Sequence, residues 1–255
     1  MREGQASTTA RLVAAARLRS PREPAGGGRP DDDERLARDV AGDLVDRPTM
    51  LERHLRARTQ FVDRVVVRAL DGGVGQVVFA GAGYDGRALR YARPGVRWFE
   101  LDHPDTQRDK RDRLARLGIT AREVTCLPAD FRTDPIAERL AAAGCDATAP
   151  ALVICEGVAV YLEPPVLARL LAELAAAVGP GSRLVLTAST AARDRRTRER
   201  RARLRAAVAA VGEPMLSALD AADVDELLQR AGWRPDGGQD PAARAQGFLL
   251  AVRAG

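Results

Sequence analysis

The chain has 255 residues, 40 of them basic and 35 acidic, for a net charge of +5; 45% are apolar and only 4% aromatic. That length suits one large domain or a domain with appendages, and the composition is that of a globular chain, with no apolar run near the roughly 18 residues a spanning helix needs. Of the basic residues one alone, Lys110, is lysine, and its place in a charged run after a His-Pro turn argues against a Walker phosphate loop, a kinase lysine set and a pyridoxal Schiff base.

Three cysteines (Cys126, Cys145, Cys155) and two histidines (His54, His103) are too few and too scattered for a zinc site, so no metal is expected. An odd cysteine count, with two cysteines inside apolar runs, reads as buried thiols in a reducing compartment. Residues 1–19 carry arginines without an apolar stretch of seven, so no secretory signal is expected and a cytoplasmic location is the simple inference. The pI near 9.7 raises nucleic-acid binding. The acids interleave with the arginines, however, and the arginine and alanine bias reads mainly as that of a GC-rich genome.

In chain order, residues 1–48 hold a short alanine-rich amphipathic piece (8–18), a Pro/Gly-rich joint and an acidic run (31–34), and are expected to form a partly flexible N-terminal helical arm. Residues 49–255 form the main domain. It opens at 49–70 with Leu51, Leu55, Val62, Val65, Val66 and Ala69 at helical spacing. Short apolar runs at 77–80, 98–101, 124–127, 151–155, 183–188 and 248–252 then alternate with helical stretches, the clearest being 166–178. The runs do not alternate in polarity, as suits buried parallel strands, and their spacing suits crossover helices. The expected fold is a doubly wound, mostly parallel Rossmann-like α/β sheet with helices on both faces and a helical cap insertion around 189–222. Strands ending on Gly81, Asp102, Asp130 and Glu156 would bring those loops to one crevice.

Gly81-Ala82-Gly83-Tyr84-Asp85-Gly86 spells G-x-G-x-x-G, with Glu100 and Asp102 about 20 positions on. This is the dinucleotide fingerprint, although any adenosine-bearing cofactor can use its physics: glycines for close backbone approach and an acid for ribose hydroxyls. Asp130-Phe131 after the third strand suits an adenine amine and ring, and the polar loop from Cys155 and Glu156 suits the amino-acid part of a cofactor. These two features favour S-adenosylmethionine over a nicotinamide.

The segments 77–90 (VVFAGAGYDGRALR), 99–104 (FELDHP) followed by Lys110, 129–132 (ADFR), 156–162 (EGVAVYL), 212–214 (GEP) and 227–234 (LLQRAGWR) resemble the leucine carboxyl methyltransferase family and its related bacterial S-adenosylmethionine-dependent and polyketide O-methyltransferases. The resemblance covers most of the chain from Arg58 onward, and 8–11 (TTAR) with 14–17 (AAAR) is similar to the family's N-terminal segment. It departs at Gly86, where the family usually has threonine, and at Phe79-Ala80 before the glycines. By resemblance Arg58 would hold the cofactor carboxylate, Gly81, Ala82 and Gly83 would pass under its methionine part, and Asp102 would bind the ribose. Asp130 and Phe131 would hold the adenine, and Glu156 would meet the amine.

Read without the resemblance, Arg58 is one of several arginines on a solvated helix face. Glu100 caps or salt-bridges, His103 is a turn residue, Tyr161 packs and Cys155 is core. Methyl transfer from a sulfonium needs alignment more than a base. With two histidines only, a carboxylate acceptor, already a nucleophile at neutral pH, is slightly favoured over a hydroxyl; the catalytic group is unassigned, with His103 and Tyr161 as weak candidates. The expected partner is a small-molecule acceptor, with secondary metabolism as a setting. An NAD(P)-dependent oxidoreductase, a non-catalytic cofactor-binding module and an RNA methyltransferase are the alternatives, the last resting on the arginine stripe at 191–206. That stripe lacks interleaved aromatics and reads as a solvated cap helix rather than a nucleic-acid grip, so neither nucleic acid nor membrane is an expected partner.

Overall fold

The computed structural model describes residues 7–20, 28–46, 52–188, 214–217 and 221–254, with single positions 199, 202, 206, 209 and 219. Of the expected cap around 189–222 with its arginine stripe, all but 199, 202, 206, 209, 214–217, 219 and 221–222 lies outside the described residues, as does the joint at 21–27.

Seven strands form one sheet: β1 (Gln76–Ala80), β2 (Arg97–Asp102), β3 (Val124–Pro128), β4 (Leu152–Cys155), β5 (Arg183–Thr187), β6 (Trp233–Pro235) and β7 (Phe248–Arg253). Their order is β3-β2-β1-β4-β5-β7-β6. The first five run parallel, and β7 lies antiparallel between β5 and β6. This is the expected mostly parallel α/β sheet. The strand order reverses between β1 and β4, which places the ligand crevice beyond their carboxyl ends.

Both central strands are buried throughout, which is why their sequences read as unbroken apolar runs. Alternate side chains serve opposite faces. Val78 and Ala80 face a cluster built with α6 (Ile136–Ala142), α7 (Pro164–Ala176) and α8 (Ala221–Arg230), including Leu140, Leu167, Leu171 and Leu228. Val77 and Phe79 face α3 (Glu52–Asp71) through Phe61, Val62, Val65 and Val66, with Phe248 beside them. α4 (Arg87–Arg90), α5 (Pro104–Arg116) and α9 (Pro241–Ala245) complete the helices of this body, none of which is long and apolar enough to cross a membrane among the described residues. The sequence reading missed β6. Its three residues are too short to show a period, and Trp233 holds the strand by donating its indole N–H to the Leu171 carbonyl at 2.9 Å.

The segment expected to form a partly flexible helical arm holds two packed helices, α1 (Thr8–Leu18) and α2 (Pro30–Ala41). Pro30 opens α2 and the acidic run 31–33 fills its first turn, where the fixed proline φ and the positive helix end favour both. Ala14, Leu36 and Val40 of these helices share a small core with Tyr84, Leu89 and Leu114. Asp33 turns inward against Arg90. A methyl group at Gly86 would overlap the Asp33 carboxylate, and since φ at Gly86 is −104° the glycine is there for room, not for backbone freedom. Gly86→Ala should therefore cost about 1–3 kcal/mol of stability by forcing α2 off the loop. Urea unfolding would check it, and an unchanged midpoint would mean that α2 does not sit there in solution.

Candidate functional site

The crevice begins where β1 gives way to Gly81 and Gly83, whose φ values of 85° and 51° are left-handed conformations that only glycine adopts without strain. The amides of Gly81 and Ala82 donate to the Leu101 carbonyl of β2 at 2.8 and 3.0 Å, so the loop is stitched to the neighbouring strand. A methyl group at Gly81 would overlap Val158 Cγ2, and one at Gly83 would press on Ala10 of α1 at 3.3 Å. Backbone thus approaches the β4 loop on one side and α1 on the other.

Asp102 ends β2 beside this loop. Its Oδ2 accepts from the Gly83 amide at 2.6 Å and its Oδ1 from the His103 amide at 2.7 Å. Burial raises its pKa above the usual carboxylate value, against the opposing pull of the two amides and of Lys110. Each carboxylate oxygen keeps a second lone pair for a hydroxyl. Glu100, two residues back, is committed elsewhere: its Oε2 accepts from Lys110 Nζ at 2.6 Å deep under the loop.

Glu156 follows β4 and is ringed by arginines: Arg87 Nη1 at 2.5 Å, Arg58 Nε at 2.8 Å and Arg17 Nη2 at 3.3 Å. Burial alone would raise its pKa, but Arg87, Arg17 and Arg58 outweigh that and hold it well below the usual carboxylate range. Arg87 also pairs with Asp63 at 2.6 Å and Asp85 at 2.7 Å, Arg17 reaches Asp85 at 2.9 Å, and Arg90 bridges Asp63 at 3.2 Å and Asp33. The network ties α1, α2, α3, the glycine loop, α4 and the β4 loop together. Arg58 is only 11% exposed. Its placement on a solvated face, which its helix context suggested, is therefore corrected: the turn of α3 that carries it faces Glu156.

Arg58 Nε and Glu156 Oε1 touch without the alignment of a hydrogen bond, and both are buried atoms with no hydrogen-bond partner. Such atoms are costly to leave unbonded. A guanidinium and a carboxylate side by side, each with a free direction, suit the two ends of an α-amino acid. With Asp102, whose free lone pairs suit a diol, across the glycine loop, the residues fit in chemistry an adenosine that carries an amino-acid tail.

The remaining expected residues have other engagements. Asp130 accepts from Arg132 at 3.1 and 2.8 Å, the main reason its pKa lies below the usual carboxylate range, and Phe131 packs into the core. His103 caps α5, its Nδ1 accepting from the Asp105 amide at 3.3 Å. Tyr161 lies half-buried on the 3-10 turn Ala159–Tyr161, close enough to Arg58 to act on its charge. Cys155 is buried and its thiol is pushed up to about 12. Among the described residues no group of three or more His, Cys, Asp or Glu is placed to hold a metal. Sequence reasoning missed Arg17, Asp33, Asp63, Asp85, Arg87 and Arg90 as a unit. Arg17, Asp85, Arg87 and Arg90 stood inside the segments that carry the family resemblance, but no spacing rule pairs charges this far apart.

The chain matches the leucine carboxyl methyltransferase family over residues 8–175. A protein of Mycobacterium sp. (strain KMS) carrying the name S-adenosyl-L-methionine-dependent methyltransferase is 37% identical over 192 residues, covering 71% of this chain and 62% of its own. One of Streptomyces coelicolor with the same name is 41% identical over 133 residues, covering 51% and 46%. The chain thus spans about three-fifths of the length of the first of these. Among solved structures, a DUF574 family protein of Streptomyces avermitilis MA-4680 is similar with TM-score 0.60 and 18% identity, covering 97% of this chain and 98% of that one. The magnesium protoporphyrin IX methyltransferase of Synechocystis PCC 6803, solved with bound S-adenosylhomocysteine, gives 0.56 and 17%, covering 88% and 94%. At those identities the structures speak for the fold, whereas the match over residues 8–175 spans α1 to α7 and every residue of the charged network: the chain belongs to the leucine carboxyl methyltransferase family.

Proposed function

We infer that this protein is an S-adenosylmethionine-dependent O-methyltransferase acting on a small molecule, with a carboxyl acceptor slightly favoured over a hydroxyl and secondary metabolism as its setting. The observation that carries the reading is the adjacent pair of Arg58 and Glu156, each with an unbonded buried atom, at the point where the strand order reverses. A nicotinamide dinucleotide suits the loop less well. Its pyrophosphate would seek the amides that open the helix after the glycines, and there the Asp85 carboxylate already takes the Arg87 amide at 2.8 Å with Asp33 close by.

In this reading Arg58 holds the cofactor carboxylate, Glu156 its amine and Asp102 the ribose hydroxyls. Gly81, Ala82 and Gly83 run beneath the methionine part, and Asp130 and Phe131 border the adenine. When bound, S-adenosylmethionine supplies a methyl group on a sulfonium, open to in-line displacement. The chain's part is to fix that geometry and keep water out, which is where most of the acceleration in a displacement of this kind arises. A carboxylate acceptor needs no base, so the reading does not require His103 or Tyr161 to move a proton.

Calorimetric titration should find micromolar binding of S-adenosylhomocysteine and none of NAD or NADP; tighter binding of either dinucleotide would overturn the methyltransferase reading. Hydrogen bonds to a charged acceptor contribute about 1.5–3 kcal/mol each, so Asp102→Ala should weaken S-adenosylhomocysteine roughly tenfold to a hundredfold, and Glu100→Ala far less. A larger loss in Glu100→Ala would mean the ribose acid is misassigned.

Glu156→Gln leaves three arginines short of a counter-charge and should cost about 3–5 kcal/mol at neutral pH. Since the folded-state pKa of Glu156 is depressed, its contribution is full above the ordinary glutamate range, shrinks as pH falls below that range and is lost only as pH passes the depressed folded-state pKa. The urea midpoint of the wild type should begin to approach that of Glu156→Gln as pH falls below about 4, the gap narrowing steadily towards pH 3. Glu100 and Asp102, whose pKa values burial raises, act in the opposite sense but equally in both proteins. A gap between the two that stays constant from neutral pH to pH 3 would show that Glu156 is not ionised in the fold.

A further inference from the structure

In a chain that uses arginine for every other basic residue, Lys110 stands alone. It is also among the most buried charges, with its ammonium 2.6 Å from Glu100 Oε2 and 2.7 Å from the backbone carbonyl of Asp85. An ion pair by itself would be served as well by arginine, as the pairs around Glu156 are. Two acceptors converging on one nitrogen from a carboxylate and a peptide carbonyl are another matter: a compact ammonium with three donors meets both, whereas a planar guanidinium is longer and spreads its donors over a fork.

The carbonyl it grips lies within the glycine loop. The Asp85 amide donates to the Ala82 carbonyl at 2.8 Å, and its side chain meets Arg87 and Arg17. Lys110 therefore sets the third side of the same residue and decides how the peptide after it is turned. Tyr84, the residue before, donates its hydroxyl to Asp109 of α5, next to Lys110 on that helix. With the Gly83 amide bound to Asp102, the loop is fastened to α5 and β2 at three consecutive residues. Lys110 also lies near enough to Asp102 to favour its ionised form.

We propose that Lys110 is a positioning residue for the cofactor: braced by Glu100, its ammonium holds the Asp85 carbonyl and so the loop conformation that aligns Gly83 and Asp102 with the ribose and Asp85 with the arginines of the amino-acid end. This rests on the reading of the crevice as an S-adenosylmethionine site.

The test titrates S-adenosylhomocysteine into the wild type, K110M, E100Q and K110M/E100Q, with urea unfolding of each. A wild type that binds none overturns the cofactor reading and this proposal with it; given wild-type binding, the variants decide Lys110 alone. K110M should lose at least about tenfold in affinity and also stability, because Glu100 is left buried and unpaired. E100Q keeps the bond to the Asp85 carbonyl and should bind within about threefold of wild type. K110M/E100Q buries no unpaired charge, so its unfolding midpoint should rise above that of K110M while its affinity stays as low. That split separates positioning from mere stability. Affinity that recovers together with the midpoint, a K110M that binds like the wild type, or an E100Q that loses as much as K110M would each overturn the proposal. Should K110M fail to fold, the comparison of the double variant with E100Q carries the same decision.

Discussion

Four arginines and four carboxylates, Arg17, Arg58, Arg87 and Arg90 with Asp33, Asp63, Asp85 and Glu156, are drawn out of water together and must neutralise one another. An isolated charge there would cost several kcal/mol, and removing one partner leaves that cost standing. Arg87 is the centre, with three carboxylates on one guanidinium, and they raise its pKa well above the usual value against the effect of burial. Such a network adds little net stability compared with a well-packed apolar core. Its consequence is geometric, because the charges come from α1, α2, α3, the glycine loop, α4 and the β4 loop, and this arrangement of the six puts each of the eight charges beside an opposite one.

The site inherits its electrostatics from that arrangement. Glu156 remains ionised although buried, since Arg87, Arg17 and Arg58 surround it. Arg58 has its only carboxylate contact among the described residues at an angle that leaves both partners with an unused direction. Asp102 is the contrasting case, a carboxylate held by backbone amides with no cation in contact among the described residues. One end of the crevice therefore suits a zwitterion and the other a diol.

The three glycines of the loop serve different ends. Gly81 and Gly83 adopt left-handed conformations, and Gly86 makes room for Asp33. The spelling G-x-G-x-x-G thus arises here without the pyrophosphate site that the pattern normally marks. Docking of α2 explains the glycine where threonine is usual in the family, since Asp33 occupies the space a side chain would need. The helices first read as an arm are in consequence walls of the site: α1 supplies Arg17 and presses Ala10 on the loop.

The sequence by itself determined the sheet and its polar rim. Short unbroken apolar runs between turn signals suit buried strands, crossover spacing suits a parallel arrangement, and chain order then brings the loops after β1, β2 and β4 to one crevice, so Gly81, Gly83, Asp102 and Glu156 were legible as neighbours. The family resemblance added Arg58, which its own helix context had left on a solvated face. What the tertiary structure decided was the pairing of charges. Arg17, Asp33, Asp63, Arg87 and Glu156 are separated by up to 139 residues, and nothing in a charged residue's local pattern tells whether it faces water or a partner. That β7 runs antiparallel and β6 exists at all was likewise decided by packing, through Phe248 against α3 and Trp233 against α7. Periodicity records which side of an element is buried, because burial acts on each side chain separately; a salt bridge or a short edge strand depends on two distant parts of the chain arriving at the same place, and only the folded molecule brings them there.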